Sequence, residues 1–181
     1  MTEEGFAQAR ALAKYFRVHW QPIHLILTSD LRRAAETTAE LLKEVQVPMQ
    51  YAPAWREMNN GDLAGLPNAL AEERYPGLYF SSLAMDEPYP GGESPRQVFE
   101  RISRAFEALC QKMITHQLPE NVAVVTHGGV ISIVYHLLKG LSWSNTHPSF
   151  PTAATGIHEI SYLDGAWRIT LENDIRHLNQ D

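Results

Sequence analysis

Val122-Ala-Val-Val-Thr-His-Gly-Gly129 is the stretch on which the reading of this chain turns. Its apolar run has the continuous character of a strand buried on both faces, and it ends in a histidine and paired glycines where such a strand meets a helix. A helix opening at Gly128 offers free backbone N–H groups and the positive end of its dipole, and glycine lets an anion come close to the main chain. That combination suits a phosphoryl group. Taken alone, the same letters also describe an ordinary strand-to-helix turn, with His127 a satisfied polar residue.

The next informative segment is Thr28-Ser-Asp-Leu-Arg-Arg-Ala-Ala-Glu-Thr37, which follows the apolar run Ile23-His-Leu-Ile-Leu27. Apolar residues at Leu31, Ala34, Ala35, Leu41 and Leu42 make it a strand, a cap and an amphipathic helix. Arg33 then sits one turn inside the helix, where its planar fork can reach an anion beyond the strand end. The alternative is a solvated arginine pair complementing Glu36 and Glu40. Ser29 fits either a hydrogen bond at the edge of such a site or a cap on its own helix.

Outward from these two segments the chain alternates strands and helices. Phe6, Ala9, Leu12, Ala13 and Phe16 predict an amphipathic helix over 3–18, capped by Thr2. A strand over Ile23–Leu27 and a helix from Asp30 to about Glu44 follow. Val47–Ala52 reads as a short strand that Pro48 and Pro53 confine to an edge. A short helix spans Pro67–Tyr75, and a long one carries Val98, Phe99, Ile102, Phe106, Leu109 and Met113, with Ser94 as cap and Pro95 at its first position. Val130–Leu138 continues as a buried helix. Strands near Ile157–Leu163 and Trp167–Leu171 are joined by Asp164-Gly165, a strong hairpin signal. The pattern predicts an α/β fold of three layers, α/β/α, with a mostly parallel sheet and helices on both faces, in a single domain over 1–181. Tyr75–Glu93, rich in proline, glycine and aromatics, reads as a loop region covering a substrate.

Composition narrows the function classes. The chain has 181 residues, 44% hydrophobic and 20% charged, which suits a domain with a sizeable core. A net charge of −6 and the lack of a Lys/Arg cluster argue against nucleic acid. No apolar run reaches the roughly 18 residues of a membrane helix, and the acidic start is unlike a signal peptide, so the expected place is the cytoplasm. The single cysteine, Cys110, falls in an apolar helical pattern as a core thiol. No pair of histidines has the spacing of a zinc helix, so neither metal nor cofactor is expected.

Thr2-Glu-Glu-Gly-Phe-Ala-Gln-Ala9, Ser29-Asp-Leu-Arg-Arg-Ala34, Arg56-Glu-Met-Asn-Asn-Gly-Asp62, Gly91-Gly-Glu-Ser94 and Thr126-His-Gly-Gly129 occur in that order. Together they resemble the histidine phosphatase superfamily, also called phosphoglycerate-mutase-like. Asn173-Asp174 with His177-Leu178 resembles its small bacterial phosphatase branch. The resemblance implies hydrolysis of a phosphate monoester through a phosphohistidine, with a small phosphate ester as partner. It makes Arg33 a phosphate-binding arginine, His127 with Gly128 the group that stabilises the phosphoryl oxygens, and Glu57 the general acid or base. Burial beside Trp55 and Met58 would tune Glu57, whose other reading is an ion-pair partner of Arg56. Ser29 and His177 are candidate rim residues.

The same resemblance implies a first strand ending in Arg-His-Gly, whose histidine attacks phosphorus. Here Met1 directly precedes the Thr-Glu-Glu-Gly segment, and His127-Gly128 is the one His-Gly pair. The expectation is a chain shortened relative to the family, with no nucleophile and no activity as it stands. A non-catalytic phosphate-binding module is the alternative, and a nucleotide-binding domain built on Gly128-Gly129 ranks last because it lacks spaced glycines. Loss of that strand predicts a gap in the sheet, closed by rearranged strands or by exchange between two chains in a homodimer, and a displaced strand would draw His127 away from Arg33.

Overall fold

The computed structural model describes residues 1–19 and 22–179. Among them five α-helices and five strands follow one another in the order α1 (Glu3–His19), β1 (Leu25–Thr28), α2 (Arg32–Glu44), β2 (Met49–Tyr51), α3 (Asn68–Arg74), α4 (Pro95–Ile114), β3 (Val122–Val125), α5 (Gly128–Lys139), β4 (Ile157–Leu163) and β5 (Ala166–Asp174). The local signals in the sequence explain most of these boundaries. Ser94 and Gln97 form a reciprocal capping box at the start of α4, with Gln97 N–H donating to Ser94 Oγ at 3.2 Å and Ser94 N–H to Gln97 Oε1 at 2.8 Å. Asp164 and Gly165 both take positive φ, 51° and 79°, as a tight turn matching the right-handed twist of β4 and β5 requires.

β1, β2 and β3 form a parallel sheet in the order β2-β1-β3, with Leu25 opposite Val122 and Thr28 opposite Val125. β2 lies at the edge, where Pro48 predicted it. Helices cover both faces. On one, Leu12, Ala13 and Tyr15 of α1 pack with Ile26 and Leu41. On the other, Val98 and Ile102 of α4 pack with Trp55 and with Val130, Ile133 and Val134 of α5. The α/β class, the parallel sheet and the helical layers on both sides are as the sequence pattern predicted.

The sheet does not run on. β4 and β5 pair only with each other, antiparallel, and among the described residues no strand bonds the second edge of β3. Between β3 and β4 lies a cavity of about 1270 Å³. Val122–Val125, read from sequence as buried on both faces, is therefore half-buried throughout, because a strand is enclosed only when both its edges have neighbours. Two further expectations are corrected here. Among the described residues no rearranged strand closes the gap, and β3 holds its register against β1, so His127 is not drawn away from Arg33.

Candidate active site

Parallel strands in register bring their carboxyl ends together, and that decides where the polar residues meet. Ser29 N–H donates to Val125 O at 2.9 Å just beyond the last paired residues. Ser29 and His127 consequently emerge at the same end of the sheet. Ser29 is fully buried and His127 is 6% exposed. His127 Nε2 lies 2.8 Å from Ser29 Oγ, and Arg33 Nε, from the first turn of α2, donates to His127 Nδ1 at 3.0 Å. A ring nitrogen that accepts from a guanidinium must carry a lone pair, so the neutral ring holds its proton on Nε2 and donates it to Ser29.

The charge state follows from the surroundings. Burial, reinforced by the nearby cations Arg33 and Arg101, pushes His127 down to about 4. The imidazole is neutral at neutral pH. Ser29 Oγ also accepts Leu31 N–H at 3.3 Å, so the two readings of this serine, site contact and helix cap, are both present in one side chain.

Glu57 comes from the loop after a 3-10 turn at Pro53–Trp55, whose Trp55 is buried in the α4/α5 core. Thr126 Oγ1 donates to Trp55 O at 2.7 Å, pinning that loop to the end of β3. Glu57 Oε2 accepts Gly129 N–H at 3.1 Å, at the amino end of α5, while its Oε1 accepts Met58 N–H at 3.2 Å. Glycine at 129 permits this close approach: a Cβ there would come within 2.5 Å of Glu57 Oε1 and displace the carboxylate. Arg56 does not pair with Glu57; it forms a two-pronged ion pair with Asp30. Gly128 stands exposed beside His127 as the first residue of α5.

One residue that the sequence reading passed over organises this loop. Arg101, on α4, takes both oxygens of Glu93 at 2.8 Å and donates to Ala54 O and Arg56 O, each at 2.9 Å. Glu93 Oε2 in turn accepts Asn59 N–H at 2.9 Å. The loop that presents Glu57 is thus held from both ends by one guanidinium and its carboxylate. The signal lay in Gly91-Gly-Glu-Ser94, whose glutamate is explained by the arginine two turns into the following helix.

His177 is placed elsewhere. It is buried in a 3-10 turn, with Nε2 2.9 Å from Thr155 Oγ1 and its ring 5.9 Å from that of Tyr15, and it makes no bond to Arg33, His127 or Glu57 among those described. Among the described residues no group of three or more His, Cys, Asp or Glu is arranged to hold a metal ion, and no helix is long and apolar enough to cross a membrane.

An imidazole, a guanidinium and a carboxylate thus gather at the carboxyl ends of the parallel strands of an α/β protein, the end at which such folds bind ligands. The chain belongs to the histidine phosphatase superfamily (branch 1), which it matches over residues 1–175. It is 30% identical over 183 residues to a metal-independent phosphoserine phosphatase of Arabidopsis thaliana, covering 99% of this chain and 73% of that protein. It is 28% identical over 148 residues to a 2,3-bisphosphoglycerate-dependent phosphoglycerate mutase of a Methylobacterium species, covering 78% and 70%. Among solved structures, a mycobacterial glucosyl-3-phosphoglycerate phosphatase in complex with inorganic phosphate superposes with a TM-score of 0.68 at 28% identity, covering 96% of this chain and 87% of the other. Bacillus stearothermophilus YhfR shares the fold with a TM-score of 0.80 at 21% identity, covering 98% and 86%.

Proposed function

We propose that this chain, as one domain, binds the phosphoryl group of a small phosphate monoester between Arg33, His127 and the amino end of α5. The observation that carries this reading is the 3.0 Å contact between Arg33 Nε and His127 Nδ1 at the strand ends, with Glu57 on the neighbouring Gly129 amide. Arg33 here bonds His127, and Glu57 bonds the Gly129 amide. A phosphate dianion would draw the guanidinium from the imidazole into a bidentate contact and compete with Glu57 for the α5 amides, where the helix dipole favours negative charge. Released to the leaving-group side, Glu57 would act as the general acid or base.

In phosphohistidine chemistry a second histidine attacks phosphorus, the leaving alcohol is protonated, and water then breaks the phosphorus–nitrogen bond. Residues 1–181 contain one His-Gly pair, His127-Gly128, already engaged with Arg33 and Ser29. The attacking histidine and a second phosphate-binding arginine therefore come from outside these residues, which on their own bind the ester without hydrolysing it. The same observation favours the second reading, a non-catalytic phosphate-binding module in the cytoplasm that needs neither metal nor cofactor. The named relatives act on phosphoserine and on phosphoglycerate or its glucosyl derivative. Small acids esterified with phosphate are the class to test first.

Calorimetry with inorganic phosphate, phosphoserine and 3-phosphoglycerate tests the binding step. Millimolar or tighter affinity that Arg33→Ala removes supports it, and silence at millimolar ligand rejects it. A phosphatase assay on the same esters, comparing the chain with a form extended ahead of Met1 by a strand ending in Arg-His-Gly, separates the two readings. Turnover by the extended form alone supports the phosphatase; binding without turnover in both supports the module.

A further inference from the structure

The anion site leaves His177 unexplained. Its ring is 3% exposed, in the 3-10 turn Arg176–Leu178 that packs on α1, and the bond described for it runs from Nε2 to Thr155 Oγ1 at 2.9 Å. Thr155 Oγ1 donates its own proton to Ala154 O at 2.7 Å, so the histidine is the donor to Thr155. The ring proton therefore sits on Nε2, and Nδ1 carries a buried lone pair with no partner among the described residues. Burial lowers the proton affinity of the ring, outweighing the opposite pull of Asp174, and keeps it neutral. A phenylalanine would fill the same space without stranding a polar atom. The bond to Thr155 is what the imidazole adds.

Thr155 is a residue that needs such a partner. It is β-branched, yet its φ is 58°, in the left-handed region where a branched side chain is crowded. A second tether lies beside it: Asn173, itself at φ 48°, accepts Ala153 N–H on Oδ1 at 2.8 Å. At the other end of the loop Phe150 N–H donates to Ser132 Oγ at 3.3 Å. Between these ties lies Thr152, whose Cβ a Cβ on Gly128 would meet at 3.9 Å. Thr152–Gly156 line one cavity with Glu57, His127 and Gly128.

We propose that His177 is a positioning residue for the anion site: by holding Thr155 in left-handed backbone it keeps Thr152–Gly156 against the amino end of α5, as the wall that a phosphate ester meets beside Gly128. This role rests on the phosphate reading of Arg33 and His127. His177 acts only through Thr155, on the far side of the loop from the ligand. Without its donor the strained φ of Thr155 loses a compensating bond, and the loop samples other conformations. Affinity then falls in proportion to the fraction of molecules that keep the wall in place.

The test uses the full chain, NMR shifts and calorimetry with phosphoserine. In the parent, backbone shifts should put Thr155 in the left-handed region, and ring nitrogen shifts should put the proton of His177 on Nε2. Two variants approach the bond from opposite sides, so that either carries the test if the other fails to fold by circular dichroism. His177→Phe keeps a ring and removes the donor; Thr155→Val keeps the branched shape and removes the acceptor. Each should weaken phosphoserine binding by roughly five- to tenfold. The decisive result is rescue: adding Thr155→Gly to His177→Phe should restore affinity to within about twofold of the parent, because glycine takes that φ without a side-chain clash. A ring that served packing alone would give no such rescue. Parent-like affinity in the single variants overturns the proposal. So does a loss that glycine fails to recover, or a parent with the ring proton on Nδ1. A parent that binds no phosphoserine rejects the phosphate reading instead, and the Thr155 shifts, left-handed in the parent and lost in His177→Phe, then decide by themselves whether His177 holds the loop.

Discussion

β1 and β3 lie side by side in one sheet and carry similar apolar runs, Leu25-Ile-Leu-Thr28 and Val122-Ala-Val-Val125, yet their environments differ. Leu25 is 5% exposed and Ile26 not at all, whereas all four residues of β3 remain half-buried. The difference lies in the neighbours. Among the described residues β1 is paired on both edges, by β2 and β3, and β3 on one. Identical side-chain chemistry contributes to stability in proportion to the surface its surroundings remove from water, so the energetic weight of a strand is a property of the sheet.

That contrast can be broken most directly by truncation. Ile26→Ala should destabilise the fold by about 2–5 kcal/mol in urea unfolding, and Val124→Ala by under about 1 kcal/mol, because β3 has less burial to lose. Equal losses would mean that the open edge of β3 is closed in solution.

The polar end of β3 is the next point of attack. His127 is held neutral with its proton affinity lowered to about 4 against 6.5 in the unfolded chain. A group of this kind stabilises the fold fully above pH 6.5 and loses that contribution as pH falls to about 4, since the unfolded chain takes up the proton first. Stability should therefore drop over that window by on the order of 2–3 kcal/mol more in the parent than in His127→Asn. Parallel pH profiles for the two proteins would sink this assignment.

Smaller effects concern the ligand. Arg33→Ala should weaken phosphate binding by roughly 10- to 100-fold, the range for a lost charge-assisted contact, and should raise the titration midpoint of His127 seen by NMR, because a neighbouring cation is gone. Gly129→Ala should change stability least, within about 1 kcal/mol, since the better helix former offsets the displaced carboxylate. Its signature is local: the Gly129 amide loses Glu57, and the chemical shifts of the first turn of α5 report it.

Much of this was legible in the sequence because it depends on near neighbours. Ser94 with Gln97, Asp164 with Gly165, and the edge position forced by Pro48 are settled within a few residues. Arg33 and His127 could be named because strand-to-helix ends expose backbone donors, and Glu57 because its segment resembles one of the family's; the structure brings all three to one end of the sheet. His177 was not so brought, since its turn packs on α1. Arg101 escaped notice because its partners are carbonyls 45 and 47 residues away, and carbonyl positions leave no mark on residue type.

The sequence by itself determined the succession of strands and helices and the caps and turns between them. Those follow from side-chain periodicity and backbone preference, which act over a few residues. Only the tertiary structure decided that the sheet parts between β3 and β4, that the imidazole is neutral, and that one arginine braces the loop carrying Glu57. Pairing of strand edges, exclusion of water and closure of long loops all depend on which distant segments end up adjacent.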